Sequence, residues 1–458
     1  MIRLFNVYYP LRSVILLGSE LFLIVGSLLL SVLLQWGADS FIVLNYESGY
    51  WKIFGTSGLA MLCLYYFDLY DMQRLRSQGE TFFRLLFVVG ALSIAFGVVG
   101  YFFPVVMMRG GVSLLGFFLV AVSLTLWRAA YPWIVRLPGL RERVYVLGSG
   151  ARAQFLIDVL RSRPELGMDV IGWGGAIEHG LANREALGAN LISLWQRRQV
   201  DRIIVALKDR RGTMPTADLL QLRIRGVRIE DATAMIEKIT GKIEIDDLNP
   251  SWLIFADGFR LSAVFLATRR IVSIAISLAL LLLVLPLLPI VALAIKVSSP
   301  GPVLYRQRRM GRQGAVFTCY KFRTMRADAE ADIGPTWAGD EDPRITTVGH
   351  WLRLTRLDEV PQLWNVLKGD MAFVGPRPER PEFVQWLSDS IPYYHLRHII
   401  RPGITGWAQV RYRYGSSVED AKEKLRYDLF YIKNLALGLD LLILFLTVKT
   451  ILLGRGAK

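Results

Sequence analysis

Long apolar runs constrain the fold of this sequence more than any other feature. Four of them open the chain, at about 15–34, 53–67, 85–103 and 112–135, and a fifth covers about 271–295. An α-helix needs roughly 20 apolar residues to cross the hydrocarbon core of a bilayer. Because 53% of all residues are hydrophobic, which is more than soluble proteins usually contain, much of the chain must lie in lipid.

The charges around the first four runs predict their orientation. Arg3 and Arg12 precede the first run, acidic residues follow it, and arginines follow the second and fourth runs. Since positively charged loops stay in the cytoplasm, both ends of a four-helix transmembrane domain, residues 1–141, are predicted to face the cytoplasm. A cleavable signal peptide is not expected, because further apolar runs follow the first one.

The pattern changes at about residue 142, where a small α/β domain is predicted to extend to about residue 255. Val-Tyr-Val-Leu-Gly-Ser-Gly-Ala, residues 144–151, indicates a buried strand, a glycine turn and a helix, as in Rossmann-like folds. Further strands are expected at 169–172, 202–207 and 226–230. The second strand offers no terminal acid for a ribose, so a structural or regulatory domain is favoured, and a nucleotide site stays open.

The fifth apolar run differs from the others because Pro286 interrupts it. Basic residues flank both of its ends, Arg269 on one side and Lys296 on the other. This pattern favours a re-entrant helix, about 271–296, that breaks at Pro286 and leaves the membrane on the side it entered. An ordinary spanning helix with a proline kink is the alternative. The short apolar stretch 439–453 carries two charges and is predicted to be an interfacial amphipathic helix.

The segment most indicative of chemistry contains two adjacent acids, Asp358 and Glu359, among arginines. Pro361 favours the first turn of a helix, and a helix N-terminus stabilises nearby negative charge. A carboxylate kept ionised by cations can attack phosphorus, while a neighbouring carboxylate helps to hold a divalent metal. Alternatively, Asp358 only caps the helix and pairs with Arg356.

Phosphoryl transfer also needs positive charge on the phosphate oxygens, and four basic residues are candidates for it. They are Lys321, Arg323, Arg353 and Arg377. The Gly375-Pro376-Arg377-Pro378 turn is stiff and would fix one guanidinium. The net charge of +15 agrees with anionic partners, but the basic residues cluster beside apolar runs, which disfavours a nucleic-acid partner.

Six blocks of residues stand in order along the C-terminal part of the chain. They are Pro-Gly-Pro-Val-Leu-Tyr-Arg-Gln-Arg-Arg-Met-Gly (300–311), Lys-Phe-Arg-Thr-Met (321–325), Pro-Arg-Ile-Thr (343–346), Leu-Asp-Glu-Val-Pro-Gln (357–362), Gly-Asp-Met-Ala-Phe-Val-Gly-Pro-Arg-Pro-Glu (369–379) and Arg-Pro-Gly-Ile-Thr-Gly-Trp (401–407). Together they resemble the bacterial sugar transferase family. The preceding portions are similar to its large, polysaccharide-initiating members, including an exopolysaccharide-associated branch.

This resemblance implies the fold of a large monotopic phosphoglycosyl transferase. A membrane α-helical bundle and a Rossmann-like α/β domain would precede an α/β monotopic catalytic domain, residues 265–458, anchored by the re-entrant helix. The resemblance also places the protein in the bacterial inner (cytoplasmic) membrane, as a multi-pass protein with a cytoplasmic catalytic domain. One departure is His350, which stands where a lysine or arginine is expected and is given no catalytic role.

The resemblance further implies a polyprenyl-phosphate hexose-1-phosphate transferase. Asp358 would attack the sugar-bearing phosphate of a UDP-sugar and release UMP, and undecaprenyl phosphate would then accept the phosphosugar. Glu359 would assist Mg²⁺, and Arg353 and Arg377 would bind phosphate. Glucose or galactose is the expected sugar, by analogy with large polysaccharide-initiating members.

Two other functions remain in competition with this one. A membrane-anchored nucleotide-sugar dehydratase or epimerase would need a tyrosine followed by a lysine four positions later, and the sequence has no such pair. A non-catalytic polysaccharide-export scaffold would not need the acidic pair among arginines. A homodimer through the N-terminal or α/β portion is a separate hypothesis, and a monomeric size in native-lipid particles would count against it.

Overall fold

The computed structural model divides the chain into two compact units. The N-terminal unit contains residues 1–2 and 9–235, and the C-terminal unit contains residues 3–8 and 236–458. The structure describes residues 1–71, 77–107, 111–135, 141–174, 191–197, 199–207, 214–246, 258–259, 262–326, 329, 342–412, 415 and 417–453. The predicted domain boundary at 255 lies outside the described residues, and the three predicted domain ranges stay predictions.

The N-terminal unit begins with a helical bundle. Its helices are α1 (Leu11–Trp36), α2 (Ser40–Asn45), α3 (Gly49–Tyr66), α4 (Gln78–Phe102) and α5 (Val112–Val135). Segments Leu11–Asn45, Gly79–Phe102 and Val112–Ile134 are long and apolar enough to cross a membrane. The predicted run at 53–67 forms α3, which is not among these candidate spans. Membrane helices are therefore confirmed, whereas the path of α3 through the bilayer stays a prediction.

A buried cluster of polar side chains ties three parts of this bundle together. Arg128 Nε lies 2.7 Å from Glu20 Oε1, and the Glu20 side chain is fully buried. The Tyr70 hydroxyl donates to Glu20 Oε2 at 2.6 Å. Because charges inside an apolar bundle are costly unless they are paired, this cluster stabilises one packing arrangement of α1 against α5.

The rest of the N-terminal unit is an α/β domain built on four parallel strands. The strands are β3 (Glu142–Leu147), β4 (Met168–Gly174), β5 (Arg202–Val205) and β6 (Arg228–Asp231), and they lie in the order β4-β3-β5-β6. The helices are α6 (Ala151–Ser162), α7 (191–196), α8 (Thr216–Ile224) and α9 (Ala232–Thr240), of which α9 crosses into the C-terminal unit. The prediction of a parallel α/β sheet is confirmed, and its strands lie close to the predicted positions.

The glycine turn after β3 has a steric reason. Gly148 has φ +141°, a conformation that side chains rarely adopt, and a Cβ there would lie 2.9 Å from the backbone carbonyl of Ala206. Gly150 has φ −75°, and a Cβ there would meet no atom within 4 Å. Only the first glycine is therefore required by the fold.

The C-terminal unit combines short strands with helices. Two short strands near the start of the chain, β1 (Ile2–Leu4) and β2 (Val7–Tyr9), pair with each other, and their outer residues, Ile2 and Tyr9, are assigned to the N-terminal unit. The other strands are β7 (Leu304–Met310), β8 (Val316–Phe322), β9 (Ala372–Val374) and β10 (Gly403–Thr405). The helices are α10 (Ala263–Val284), α11 (Leu288–Ser298), α12 (Thr347–Leu354), α13 (Gln362–Lys368), α14 (Pro381–Ser390), α15 (Trp407–Arg411), α16 (Val418–Lys433) and α17 (Leu437–Leu452). β7 pairs antiparallel with β8, and β9 pairs parallel with β10.

The long apolar segment 263–298 is the fourth candidate membrane segment. A 3-10 turn, Leu285–Leu287, contains Pro286 and separates α10 from α11. Near the start of α10, Arg270 donates to the Leu367 carbonyl of α13 at 2.8 Å. At the end of α11, Ile295 packs with Leu352 of α12 in a buried cluster. Both ends of the segment therefore contact the same folded unit, while few of its residues are buried.

Candidate active site

A cavity of about 390 Å³ brings most of the predicted site residues together in the C-terminal unit. Its walls come from β7 and β8, from the end of α12, from the turn after β9, and from α15 and α16. This volume is in the range of pockets that bind small organic ligands. Each of the six predicted chemical residues lines it: Lys321, Arg323, Arg353, Asp358, Glu359 and Arg377.

The two adjacent acids lie on a 3-10 turn, Leu357–Glu359, between α12 and α13. Arg356 just before the turn has φ +59° and lets the chain change direction after α12. Asp358 and Glu359 are each only 7% exposed although both line the cavity. No described side chain caps α13, so Asp358 does not act as the helix cap that the alternative interpretation required.

Glu359 is held by two cations. Lys321 Nζ and Arg377 Nη2 each lie 2.9 Å from its Oε1 atom. Burial by itself would raise the pKa of Glu359, but Lys321, Arg377 and Arg356 outweigh burial and hold this pKa well below its usual range. Glu359 is therefore ionised. It holds Lys321 and Arg377, two candidates for phosphate binding, beside the dyad of Asp358 and Glu359.

Asp358 has a different environment from its neighbour. Burial raises the pKa of Asp358, the negative charge of Glu359 raises it further, and Lys321 and Arg356 oppose the change. Its Oδ1 atom is buried and accepts no hydrogen bond from the described residues. The two adjacent acids therefore differ in their surroundings, because two cations bind Glu359 while the Oδ1 atom of Asp358 has no donor among the described residues.

The other predicted cations differ in how they are held. Arg353, in the last turn of α12, donates from Nε to Thr324 Oγ1 at 3.0 Å. The guanidinium of Arg323 donates to the carbonyls of Ser299 and Pro300 at 2.7 and 2.8 Å. These two bonds fasten the chain after α11. The geometry thus favours a structural function for Arg323, and its phosphate-binding role stays a prediction.

The turn that carries Arg377 is as constrained as its sequence predicts. Gly375 is packed so tightly that a Cβ there would lie 2.6 Å from the Arg401 carbonyl. Its N–H donates to the carbonyl of Thr405 in β10 at 2.8 Å. Pro376 then restricts the chain immediately before Arg377. The backbone of Arg377 is consequently fixed, while its side chain lines the cavity and is 29% exposed.

The structure adds cavity residues that the sequence reasoning did not identify. Among them are Ser417, which caps the start of α16, and Ala421, Lys424 and Asp428, which share one face of that helix. Arg397 is fully enclosed and pairs with Asp428 at 2.8 Å. Polar residues at a spacing of three and four on a largely buried helix were the available signal.

The carboxylates of the cavity fit a magnesium ion, which binds few protein ligands, better than a metal ion that protein side chains alone would hold. Among the described residues, no group of three or more His, Cys, Asp and Glu side chains is arranged to hold a metal. Magnesium is commonly bound by one or two carboxylates together with substrate phosphates and water. Asp358, with its unpartnered Oδ1, and the adjacent Glu359 are the residues that could hold such an ion.

Comparison with known proteins connects this site to a family. The family model described as bacterial sugar transferase matches residues 264–454, which include the whole cavity. An undecaprenyl-phosphate glucose phosphotransferase from Komagataeibacter xylinus is 31% identical over 391 residues, which cover 83% of this chain and 70% of that protein. The chain belongs to the bacterial sugar transferase family. It is therefore an enzyme of the transferase class.

Two further relatives extend this comparison. A UDP-N-acetylgalactosamine-undecaprenyl-phosphate N-acetylgalactosaminephosphotransferase from Aeromonas hydrophila is 43% identical over 222 residues, 48% of this chain. This chain spans about half, 52%, of that relative's length. An exopolysaccharide production protein from Rhizobium leguminosarum bv. phaseoli is 42% identical over 197 residues, which cover 98% of that protein and 42% of this bacterial sugar transferase.

Proposed function

We propose that this transferase moves a hexose 1-phosphate from a UDP-sugar to undecaprenyl phosphate and so starts the assembly of an exopolysaccharide or O-antigen-type repeat unit. The observation that carries the proposal is the buried pair Asp358 and Glu359 in a cavity lined by cations. The names of the relatives support both the lipid acceptor and the phosphosugar product.

The proposed reaction has two displacements at one phosphorus atom. A carboxylate oxygen of Asp358 forms a bond to the phosphorus that bears the sugar, the bond to the bridging oxygen breaks, and UMP leaves with the electron pair. A phosphate oxygen of the lipid then attacks the same phosphorus and releases the Asp358 carboxylate. Lys321, Arg353 and Arg377 stabilise charge on the phosphate oxygens in both steps.

The charges around the dyad agree with this division of roles. Glu359 remains ionised between Lys321 and Arg377, so it orients both cations toward the phosphate. A magnesium ion bound beside the dyad would supply further neutralisation of the phosphate charge. Asp358 keeps a buried oxygen without a hydrogen-bond donor, which suits a nucleophile.

The membrane segment supports a re-entrant helix in this proposal. In a straight helix Arg270 and Ile295 would lie about 38 Å apart, and a break at Pro286 would bring these two residues closer together. Here Arg270 binds α13 and Ile295 packs on α12. We therefore propose that the segment turns back at Pro286 on the cytoplasmic side of the inner membrane, which holds the cavity near the lipid phosphate.

The relatives suggest which donors to compare first. The K. xylinus relative, aligned over 83% of the chain, is named for glucose, whereas the A. hydrophila relative is named for N-acetylgalactosamine. Galactose remains a third candidate from the sequence. We propose glucose as the donor sugar, and we propose a homodimer as the oligomeric state, to be tested by particle mass in native lipid.

The experiment measures UMP release from UDP-glucose, UDP-galactose and UDP-N-acetylgalactosamine with magnesium and undecaprenyl phosphate. Asp358→Asn should lower the rate by at least about 10⁴-fold, since it removes the nucleophile. Asp389→Asn, an exposed aspartate of α14, is the matched control and should retain the wild-type rate.

Omitting the acceptor separates the covalent mechanism from a direct transfer. Wild type should then release one UMP per enzyme and gain the mass of a hexose phosphate, whereas Asp358→Asn should gain none. Activity that survives in Asp358→Asn would remove Asp358 as nucleophile. UMP release from none of the donors would instead favour the polysaccharide-export scaffold.

A further inference from the structure

A buried cluster of an arginine, an aspartate and a tyrosine joins the membrane segment to the strand before Arg377. Arg269 of α10 donates from Nε to Asp440 of α17 at 2.7 Å and from Nη2 to the Tyr431 hydroxyl at 2.5 Å. Tyr431 in turn donates to Asp440 Oδ1 at 2.6 Å. The same Arg269 Nη2 atom donates to the carbonyl of Val374 at 3.0 Å.

A second cluster of the same composition lies at the other end of this turn. Arg397 pairs with Asp428 at 2.8 Å and donates from Nη1 to the Tyr394 hydroxyl at 2.6 Å. Its Nη2 atom donates to the carbonyl of Arg377 at 3.0 Å. Two enclosed guanidinium groups thus bind the backbone carbonyls at the two ends of segment 374–377.

We propose that Arg269, Tyr431 and Asp440 are positioning residues that fix the Arg377 guanidinium for the phosphate through the Val374 carbonyl. This inference rests on the proposed function, because Arg377 needs a phosphate to act on. Arg269, Tyr431 and Asp440 are not among the described residues that line the cavity. The influence of the cluster therefore has to pass along Gly375 and Pro376, the two residues between Val374 and Arg377.

The chemistry of the cluster supports this role over simple stabilisation. Burying a charged pair costs desolvation energy, and apolar residues of the same volume often hold a core equally well. Charged hydrogen bonds are directional, however, and they define where a backbone carbonyl lies. Because α10 belongs to the membrane segment, the cluster also fixes the phosphate-binding turn relative to the part of the enzyme that contacts lipid.

The test removes one hydroxyl group from this cluster and one from a matched cluster elsewhere. Tyr431→Phe deletes the hydroxyl that bridges Arg269 and Asp440. Tyr70→Phe deletes a hydroxyl that donates at the same 2.6 Å to Glu20 in the N-terminal bundle, beside Arg128. Both substitutions leave an arginine–carboxylate pair in place, so their effects on folding should be similar.

Tyr431→Phe should lower kcat for UMP release by about 10-fold to 100-fold with little change in KM for the donor, because a small displacement of a charge-stabilising group acts on the transition state. Tyr70→Phe should leave kcat within about twofold, since it has no path to the phosphate. Equal losses of kcat in both variants would overturn the proposal.

A double-mutant cycle with Arg377→Gln identifies the route. If Tyr431 acts through Arg377, adding Tyr431→Phe to Arg377→Gln should lower kcat by less than about twofold more. Independent, multiplicative losses would show that the cluster does not act through Arg377, and this too would overturn the proposal. If Tyr431→Phe does not accumulate as folded protein, Asp440→Asn replaces it in the double-mutant cycle, because asparagine keeps the shape of the aspartate side chain.

The result separates this inference from the proposed function on which it depends. Wild type that releases no UMP from any of the three UDP-sugars would refute the proposed function and, with it, the inference. Wild type that is active, with Tyr431→Phe equally active, would refute the positioning role alone.

Discussion

The parallel sheet of the N-terminal unit and the cavity of the C-terminal unit are both rich in ion pairs, yet they use them differently. In the sheet, Arg202 at the start of β5 pairs with Glu142, the first residue of β3, and with Glu230. Ligands of parallel sheets bind at the carboxyl ends of the strands, so pairs at the starts of strands belong to the scaffold. In the cavity, Lys321 and Arg377 converge on Glu359. The position of an ion pair, rather than its presence, therefore indicates a site.

The largest effect that can test this contrast is expected at Glu359. Glu359→Gln removes the charge that orients Lys321 and Arg377, and it should lower kcat/KM by about 10²-fold to 10³-fold, as losses of aligned electrostatic groups do. Steady-state UMP release at saturating acceptor measures it. A loss below about fivefold would mean that the cations keep their positions without Glu359.

The next effect compares one arginine from each region. Arg377→Gln should lower kcat/KM by about 10²-fold, because a phosphate-binding guanidinium is lost. Arg202→Gln removes the ion pairs of Arg202 with Glu142 and Glu230 and should destabilise the sheet by about 2 kcal/mol, with kcat per folded molecule unchanged within about twofold. UMP release and thermal unfolding, measured on both variants, distinguish a loss of catalysis from a loss of stability. A catalytic loss in folded Arg202→Gln would break the contrast.

The parts of the fold and of the candidate site that the sequence predicts are those that neighbouring residues determine. The membrane helices follow from the long hydrophobic runs, and the parallel strands follow from short apolar segments. The turn of Asp358 follows from Pro361. Each of these signals lies in or next to the element that it predicts. The stiffness of the Arg377 turn was also a local signal, carried by Gly375 and Pro376. These features were predicted because neighbouring residues determine them.

The rest depended on contacts between distant segments. Asp440 was interpreted as one of two charges on an amphipathic helix, whereas the fold buries it against Arg269, 171 positions earlier. Arg323 looked like a phosphate ligand because it follows Lys321, but its guanidinium binds the carbonyls of Ser299 and Pro300. Lys321 belongs to β8 and binds Glu359, whereas Arg323 follows the end of that strand, so contacts with distant segments decide what each side chain binds.

A smaller effect is expected in the pH dependence of stability. Burial raises the pKa of Asp428 to about 6 despite the opposing charge of Arg397, compared with about 3.9 in an unfolded chain. A carboxyl group with a raised pKa favours folding when it is protonated, so its contribution is complete below pH 4 and is lost as the pH rises to 6. The difference corresponds to about 3 kcal/mol.

Asp428→Asn isolates this contribution. The stability of the wild type relative to the variant should decrease between pH 4 and 6 and then remain constant, because asparagine does not titrate. Thermal unfolding midpoints followed by tryptophan fluorescence in detergent micelles measure it. Midpoints that change in parallel for both proteins would show that Asp428 keeps an ordinary pKa.

The smallest effect concerns the glycine turn of the sheet and returns to the contrast between scaffold and site. Gly148→Ala forces a side chain into φ +141° and against Ala206, and it should destabilise the sheet by about 1–3 kcal/mol. Gly150→Ala introduces a Cβ into open space at φ −75°, and it should change stability by less than about 1 kcal/mol. Neither should change kcat for UMP release per folded molecule. If Gly150→Ala lowers kcat although the sheet remains stable, the turn binds a ligand that the catalytic reaction needs, and the sheet is then more than a scaffold.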